Sequence, residues 1–356
     1  MEATAPGNNF PWLVYCGLDE VVTLLKGKKL DLHAIPEGTV IESRDSMGVP
    51  IPFLTIMGEY EDIGSLETAI LGFISQATGI ATASSHVRLA AGDLPYYSFG
   101  IRRMHPAISP MIDRASYIGG ADGVSGILGA KIIDKEPVGT MPHSIALILG
   151  EKRAWKLVST IPGRKVVLVD TFQDEKFGAV DAAETVPGLD YVRLDTHSTR
   201  RGNFSAIVRE VRWELDQRGY SGVKIMVSGG LDEKAVRDLR EAGAEAFGVG
   251  TSVSSARVVD FSLDIVQVNG KAITKRGKFS GRKTVFRCDG CFKSLVVREG
   301  VIPKKCECGS SFRLLFTQYL KSGTRLEKAE KADDIRRRAI EQLMKVSGIK
   351  DSRLTE

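Results

Sequence analysis

Between about residues 160 and 255 one pattern repeats along the chain. A short apolar run ends in a polar residue or glycine, and a stretch with apolar positions three and four apart follows it. The runs are Val166-Val-Leu-Val-Asp170, Tyr191-Val-Arg-Leu-Asp195, Lys224-Ile-Met-Val-Ser228 and Ala246-Phe-Gly-Val-Gly250. Phe204, Ile207, Val208, Val211 and Leu215 fall on one helical face, with Asn203 as N-cap and Gly219 just past the end. The next helix is capped by Asp232, turns Val236 and Leu239 inward and stops at Gly243. Strands apolar throughout, alternating with helices, indicate a parallel sheet buried on both faces. A doubly wound sheet satisfies the same pattern. A barrel is preferred because polar residues sit at one strand end after another, and a barrel gathers those ends around one mouth.

The flanking segments differ. Residues 12–95 mix strand-like stretches with a helix from about Ser65 to Gly79, and Asp264 to Gly270 reads as a strand and turn. A last helix, at about 329–347, turns Ile335, Ala339, Leu343 and Val346 inward. The expected fold is α/β: a sandwich domain over residues 1–95, a (β/α) barrel-like domain over 96–255, and a return to the sandwich over 256–356. That last part carries a small zinc-knuckle segment at 288–308. No apolar run approaches the roughly 18 residues a membrane helix needs, and the start lacks the basic and apolar stretches of a secretory signal. A cytoplasmic enzyme without membrane partners is the expectation.

Several groups could carry chemistry. Ser228-Gly229-Gly230 and Gly248-Val-Gly250-Thr251-Ser252 follow consecutive strands. Glycines let backbone N–H groups approach an anion, and two such loops ending a series of βα units match the phosphate site of many barrels. Tight turns alone would also use glycine there. Asp170 and Asp195 end successive strands. Such acids hold Mg²⁺ or accept from ribose hydroxyls, although a strand-end aspartate often only caps a helix. Arg193 shares a face with Asp195, and an inward arginine needs an anionic partner, a ligand or Asp195 itself. Phe99-Gly-Ile-Arg102-Arg103 places two arginines beside a glycine; their planar forks suit diphosphate, and a solvated pair is the plainer reading. His143, in Gly139-Thr-Met-Pro-His-Ser144, is by default a capping or packing residue.

Charge and cysteines alter the picture at one end only. The net charge of +5 combines 27 basic and 34 acidic residues in the first 270 with 22 basic and 10 acidic in 271–356. A basic tail can mark a nucleic-acid surface, but no aromatic RNA motif or recognition helix accompanies it, which disfavours nucleic acid as partner. Cys288, Cys291, Cys306 and Cys308 lie within this tail, while Cys16 stands alone. A C-x₂-C and a C-x-C suit closed, structural tetrahedral Zn²⁺.

Taken together, Phe99-Gly-Ile-Arg-Arg103, Gly120-Ala-Asp-Gly-Val-Ser125, Gly139-Thr-Met-Pro-His-Ser144, Arg193-Leu-Asp195 and the two glycine loops are far more specific than any one of them. With them, the chain resembles the type II phosphoribosyltransferases over nearly its whole length. Within these it resembles the short archaeal-type nicotinate phosphoribosyltransferases with a zinc-binding cysteine tail. The resemblance implies transfer of nicotinate to PRPP with Mg²⁺, ATP in coupled members, and a homodimer or larger homo-oligomer with active sites at the subunit interface. It places Phe99 on the pyridine ring, Arg102 and Arg193 towards the base carboxylate or diphosphate, and Ser125 where nicotinate enzymes tend to have serine. Arg103 joins the substrate-binding set, Asp170 and Asp195 hold ribose hydroxyls and Mg²⁺, and both glycine loops take the 5-phosphate. His143 matches the histidine that ATP-coupled members phosphorylate, although Pro142 stands where the family has a small residue. Members also normally begin with an extra segment whose aromatic residue reaches the neighbouring site; the chain starts inside that pattern, and Tyr15 is not its match. The alternatives are a quinolinate phosphoribosyltransferase, which must bind a second carboxylate, and a silent barrel whose basic zinc module binds nucleic acid.

Overall fold

A computed structural model of the chain describes residues 1–7 and 10–348. The described residues fall into two compact units, one of Met1–Ser85, Ile118–Gly120 and Ala256 onwards, the other of His86–Tyr117 and Ala121–Ser255. No helix among them is long and apolar enough to cross a membrane.

In the second unit the repeated pattern becomes a six-stranded, all-parallel sheet. Its order is Gly123–Val124, Tyr96–Ser98, Ala246–Val249, Lys224–Ser228, Tyr191–Leu194, Val166–Leu168. The last strand in the chain therefore pairs with the first, the return a barrel requires. The ring stays open between Gly123–Val124 and Val166–Leu168, where the Val138 N–H donates to the Val124 carbonyl at 2.8 Å. The barrel-like domain is thus an open parallel arc. Both read helices form around it with their expected caps. Asn203 accepts from the Ala206 N–H to start Phe204–Gln217, which buries Phe204, Val208, Val211 and Leu215, with Ile207 half-buried. Asp232 accepts from the Ala235 N–H to start Glu233–Glu241, and Gly243, at φ +105°, turns the chain away. Each such cap stabilises by about 1 kcal/mol.

The first unit is built on an antiparallel sheet in the order Ser262–Asp264, Glu2–Thr4, Pro52–Gly58, Leu30–Ala34, Thr317–Lys321, Thr324–Arg325. Leu32, Phe53 and Ile56 from the sheet share one core with Leu18, Val21 and Leu25 of the helix Leu18–Leu25. Tyr15 belongs to that core, fully buried with its ring 5.3 Å from Phe53 and 6.4 Å from Phe261. The helix expected to end near Gly79 runs from Glu67 to Ala91. Beyond Gly79 its large apolar residues thin out to Ile80, Val87 and Leu89, among alanines and buried hydroxyl-bearing residues. A Cβ at Gly79 would lie 2.3 Å from the Arg257 carbonyl oxygen. The Thr82 and Thr78 hydroxyls accept from the Val14 and Cys16 amides.

The strand and turn expected at Asp264–Gly270 is a strand, Ser262–Asp264, followed by a hairpin of Gln267–Val268 with Lys271–Ala272. Asn269 and Gly270 turn it at φ +47° and +79°, as a two-residue Asn-Gly turn does. Beyond it, Ser294–Arg298, Lys283–Cys288 and Phe312–Leu314 form a three-stranded antiparallel sheet. The terminal helix, Ala332–Val346, buries Ile335, Ala339 and Leu343 as expected, and leaves Val346 half-buried.

Candidate active site

Four strands of the parallel sheet deliver the polar residues that end them. Tyr191 and Arg193, Met226 and Ser228, Ala246 and Gly248, and Tyr97 and Phe99 are each two apart, so each pair shares a face of its strand. Tyr97, Val166, Tyr191, Met226 and Ala246 line a cavity of about 520 Å³, which Thr140 and Met141 also border. The polar cluster stands at the following positions of the same strands.

Arg193 is its hub, only 9% exposed. Its Nε donates to Ser228 Oγ at 2.9 Å, and Nη1 donates to Thr140 Oγ1 at 2.8 Å and to the Met141 carbonyl at 3.2 Å. Nη2 pairs with Asp195 Oδ2 at 2.9 Å, so the anionic partner of this inward arginine is Asp195. Ser228 Oγ donates onward to Asp195 Oδ1 at 2.7 Å. Asp195 is therefore fixed from two strands, its own and the next.

Asp170 stands beside it. Its Oδ2 accepts the Asp195 N–H at 2.7 Å. Its Oδ1 is buried without a hydrogen-bond partner among the described residues. Burial raises the Asp170 carboxyl above its ordinary range, partly countered by the Asp195 amide, His143 and the Thr196 hydroxyl. A carboxylate oxygen left unpaired at a polar mouth fits a hard cation or a sugar hydroxyl. His143 opens the helix His143–Leu149. Its Nδ1 lies 3.2 Å from Thr171 Oγ1 and its Nε2 3.7 Å from Asp195 Oδ2. The Thr171 amide in turn donates to Glu151 Oε1 at 3.2 Å.

The two glycine segments are neighbours but not alike. Gly229 and Gly230 follow their strand with φ of +92° and +63°, a backbone that favours glycine, and a Cβ on Gly229 would come 3.1 Å from Asp195 Oδ1. Gly248, read as part of a phosphate loop, lies inside the strand Ala246–Val249. A Cβ there would sit 2.7 Å from two ring carbons of Phe99, so this glycine makes room for an aromatic ring. Gly250 and Thr251 do follow the strand, and the Ser252 hydroxyl donates to the Leu231 carbonyl at 2.7 Å, tying the two loops together. The Phe99 amide donates to the Val249 carbonyl at 2.8 Å, and its ring stacks near-parallel on Tyr97 at 6.3 Å. The Ser125 amide bonds the Ser98 carbonyl at 3.1 Å, which puts Ser125 at the same sheet end as Phe99. Arg102 and Arg103 follow on the turn Gly100–Arg103 with exposed side chains.

In the first unit the Sγ atoms of Cys288, Cys291, Cys306 and Cys308 all lie within 4.8 Å of one another, so this cluster could hold a metal ion.

Two family models match this chain: quinolinate phosphoribosyl transferase, N-terminal domain, over residues 2–78, and the C-terminal domain of the same family over 80–264. The chain belongs to this phosphoribosyltransferase family. A nicotinate phosphoribosyltransferase of Mycobacterium tuberculosis is 29% identical over 254 residues, 66% of this chain and 55% of that protein. The chain thus spans about half the length of the curated relatives it matches. Among solved structures, nicotinate-nucleotide pyrophosphorylase from Pyrococcus furiosus is 46% identical with a TM-score of 0.92, over 97% of this chain and 89% of that one. Human nicotinic acid phosphoribosyltransferase shares the fold, with a TM-score of 0.73 at 18% identity over the same shares of each chain.

Sequence reasoning missed Thr140, Thr171 and Glu151, which hold Arg193 and His143 in place. Threonine and glutamate in connecting segments carry no signal of their own. Only the nearness of Thr140 to His143 in one motif hinted at the first.

Proposed function

We propose that the chain is a nicotinate phosphoribosyltransferase of NAD salvage. It joins nicotinate to PRPP, giving nicotinate mononucleotide and diphosphate. The observation that carries this reading is the arrangement of His143 beside Asp195, with Asp195 held by Arg193 and Ser228. The curated relatives bearing the nicotinate name support it, and so does the Thr-x-x-His-Ser stretch, which quinolinate enzymes lack.

The chemistry follows from that arrangement. The pyridine nitrogen forms a bond to ribose C1 as the bond from C1 to the diphosphate oxygen breaks. The nitrogen carries no proton at neutral pH, so no general base is needed. Phe99, held over Gly248, stacks on the pyridine, and Ser125 lies beside it. Asp170 and Asp195 take the ribose hydroxyls. The Ser228–Gly230 and Gly250–Thr251 amides receive the 5-phosphate, and the exposed Arg102 and Arg103 reach the anionic groups. Arg193 does most of its work through Asp195, which it holds still while charge redistributes. Asp170 Oδ1, buried without a partner among the described residues, would hold Mg²⁺ bound with PRPP, which would supply charge neutralisation for the departing diphosphate. ATP coupling would act on His143, whose ring Thr171 and Asp195 hold between them. In the tail, sulfur pairs 3.3 Å apart (Cys288 and Cys308) and 3.6 Å apart (Cys291 and Cys306) fit tetrahedral Zn²⁺ as a structural ion. Exposed Leu147, Ile148 and Phe172 near His143 support a homodimer.

A quinolinate phosphoribosyltransferase is the second reading, favoured by the name of the matching family models. It would need a further cation for the second carboxylate; Arg193 is already paired to Asp195, which leaves the exposed Arg102 and Arg103, or Arg164 at the cavity, to supply it. The deciding assay offers nicotinate, nicotinamide and quinolinate separately with PRPP and Mg²⁺, with and without ATP. Product from nicotinate supports the proposal. Product from quinolinate with release of CO₂ replaces it, and no product from any base removes both.

A further inference from the structure

Asp113 is fully buried, yet nothing in the proposed chemistry uses it. It lies on the helix Ser109–Ile118. Its Oδ2 accepts the Gly126 N–H at 3.1 Å, and its Oδ1 has no hydrogen-bond partner among the described residues. Two glycines admit it. A Cβ on Gly126 would come 2.2 Å from Asp113 Oδ2, and one on Gly129 would come 2.3 Å from the Asp113 Cβ. The start of the helix Ile127–Ile132 is therefore laid directly on this carboxyl group. Gly126 follows Ser125, whose amide is bonded to the carbonyl of Ser98, the residue before Phe99. Ile101 completes the contact, since the same Gly126 Cβ would lie 2.8 Å from its Cδ1.

We infer that Asp113 is a positioning residue for the base end of the site, anchoring Gly126 so that Ser125 and the Ser98–Phe99 backbone keep their register. The linkage runs through short segments. Ser125 is held on one side by the Ser98 carbonyl and on the other by the Asp113 bond to the next amide. Loss of this buried hydrogen bond leaves the Gly126 amide unsatisfied. Without that bond the turn 124–127 is left with the Ser98 bond to Ser125, the Val138 bond to Val124 and the Ala130 bond to the Gly126 carbonyl. The glycine contacts show that the fit is specific, because neither Gly126 nor Gly129 could carry a side chain with Asp113 present. Arg193, Asp195 and Gly229–Gly230 lie on other strands, and the segment at Gly250, whose carbonyl oxygen a Cβ on Gly100 would approach to 2.7 Å, is also held by the pairing of Ala246–Val249 with Lys224–Ser228. The effect is therefore selective: the pyridine ring is placed less well, and the ribose phosphate as before.

The inference rests on the proposed base pocket, and its test separates the two. Asp113→Ala and Asp113→Asn are compared with the unchanged chain. Asn keeps both the shape and an acceptor for Gly126. Asp113→Ala should raise KM for nicotinate about tenfold, the worth of one buried hydrogen bond, while KM for PRPP stays within about twofold. Asp113→Asn should restore KM for nicotinate. Equal rises in both KM values, or an Asn variant as poor as Ala, would overturn the inference. Amide hydrogen exchange of residues 120–132 reads the same anchor without turnover: exchange at Gly126 should quicken in Asp113→Ala and stay slow in Asp113→Asn. Unchanged exchange in Asp113→Ala also overturns it. Should Asp113→Ala not fold, Asp113→Ser, whose hydroxyl is too short to reach Gly126, takes its place in both measurements. Absence of turnover by the unchanged chain with every base refutes the function and leaves the exchange test intact.

Discussion

Arg193 and Gly248 are where single atoms decide most. Arg193→Lys keeps a charge for Asp195 but removes the planar fork that also holds Ser228, Thr140 and the Met141 carbonyl. Nucleotide formation should fall about a hundredfold in kcat, roughly 2.7 kcal/mol of barrier, with the chain still folded by circular dichroism. An unchanged kcat would mean that Asp195 does not need the Arg193 fork. Gly248→Ala tests chiefly the aromatic ring, since the added methyl meets Phe99 at 2.7 Å and comes to the Ser228 Cβ at 3.0 Å. Displacing that ring should weaken nicotinate binding about tenfold, read as KM for the base at saturating PRPP. These two residues also mark what the sequence makes legible at this scale. The i, i+2 spacing of Arg193 and Asp195 already put them on one face, and their pairing follows from burial. Gly248 belongs both to the apolar run Ala246–Gly250 and to the glycine-rich segment, and spacing alone does not show that it lies within the strand, under an aromatic ring. Thr140 and Asp113 owe their roles to partners 53 and 13 residues away, and no local pattern announces such contacts.

Elements follow the same division between what is local and what is not. Helices with a clear apolar stripe and a capping side chain, such as Phe204–Gln217, could be placed from residue spacing. The end of Glu67–Ala91 could not, because its last turns pack through small and hydroxyl-bearing residues. The junction of Ser109–Ile118 with Ile127–Ile132 carries a pH dependence. Burial pushes the Asp113 carboxyl up to about 7 from its ordinary 3.8, and the Gly126 amide only partly offsets this. Between those values the folded chain keeps a proton that the unfolded chain has released. Stability from this group is thus present below about pH 4 and lost as pH rises towards 7, by up to about 1.4 kcal/mol per unit. Urea midpoints measured from pH 5 to 8 should fall less steeply for Asp113→Asn than for the unchanged chain; parallel curves would contradict the buried charge. In the tail, Phe292, at φ +63°, follows Cys291 and lies between the Arg287 guanidinium at 5.4 Å and the Lys345 ammonium at 5.1 Å. Removing metal from the cysteines should therefore speed amide exchange in Ala332–Val346 as well as in 288–308. Exchange confined to the cysteine loops would show that the helix is held without them.

At the scale of the molecule the question is which surface meets a second copy. The helix that begins with His143 exposes Leu147 and Ile148 at 63% and 78%, and Phe172, next to Thr171, is 60% exposed. Burying such side chains against a partner yields roughly 1.5–3 kcal/mol each, so the apolar surface beside the site has reason to be covered. The other feature that could drive association is the basic tail, 22 basic against 10 acidic residues over 271–356. Salt separates the two. Charge-driven contacts weaken as the screening length shortens to about 3 Å at 1 M salt, whereas burial of apolar surface persists. Sedimentation at 1 M NaCl should still show a species of twice the 38.7 kDa chain, and Ile148→Glu should convert it to a monomer. Because His143 lies on the same short helix, turnover should fall with that conversion and on dilution of the unchanged chain. A monomer at low salt, fully active, would place the site within one chain and leave the exposed apolar residues without this explanation.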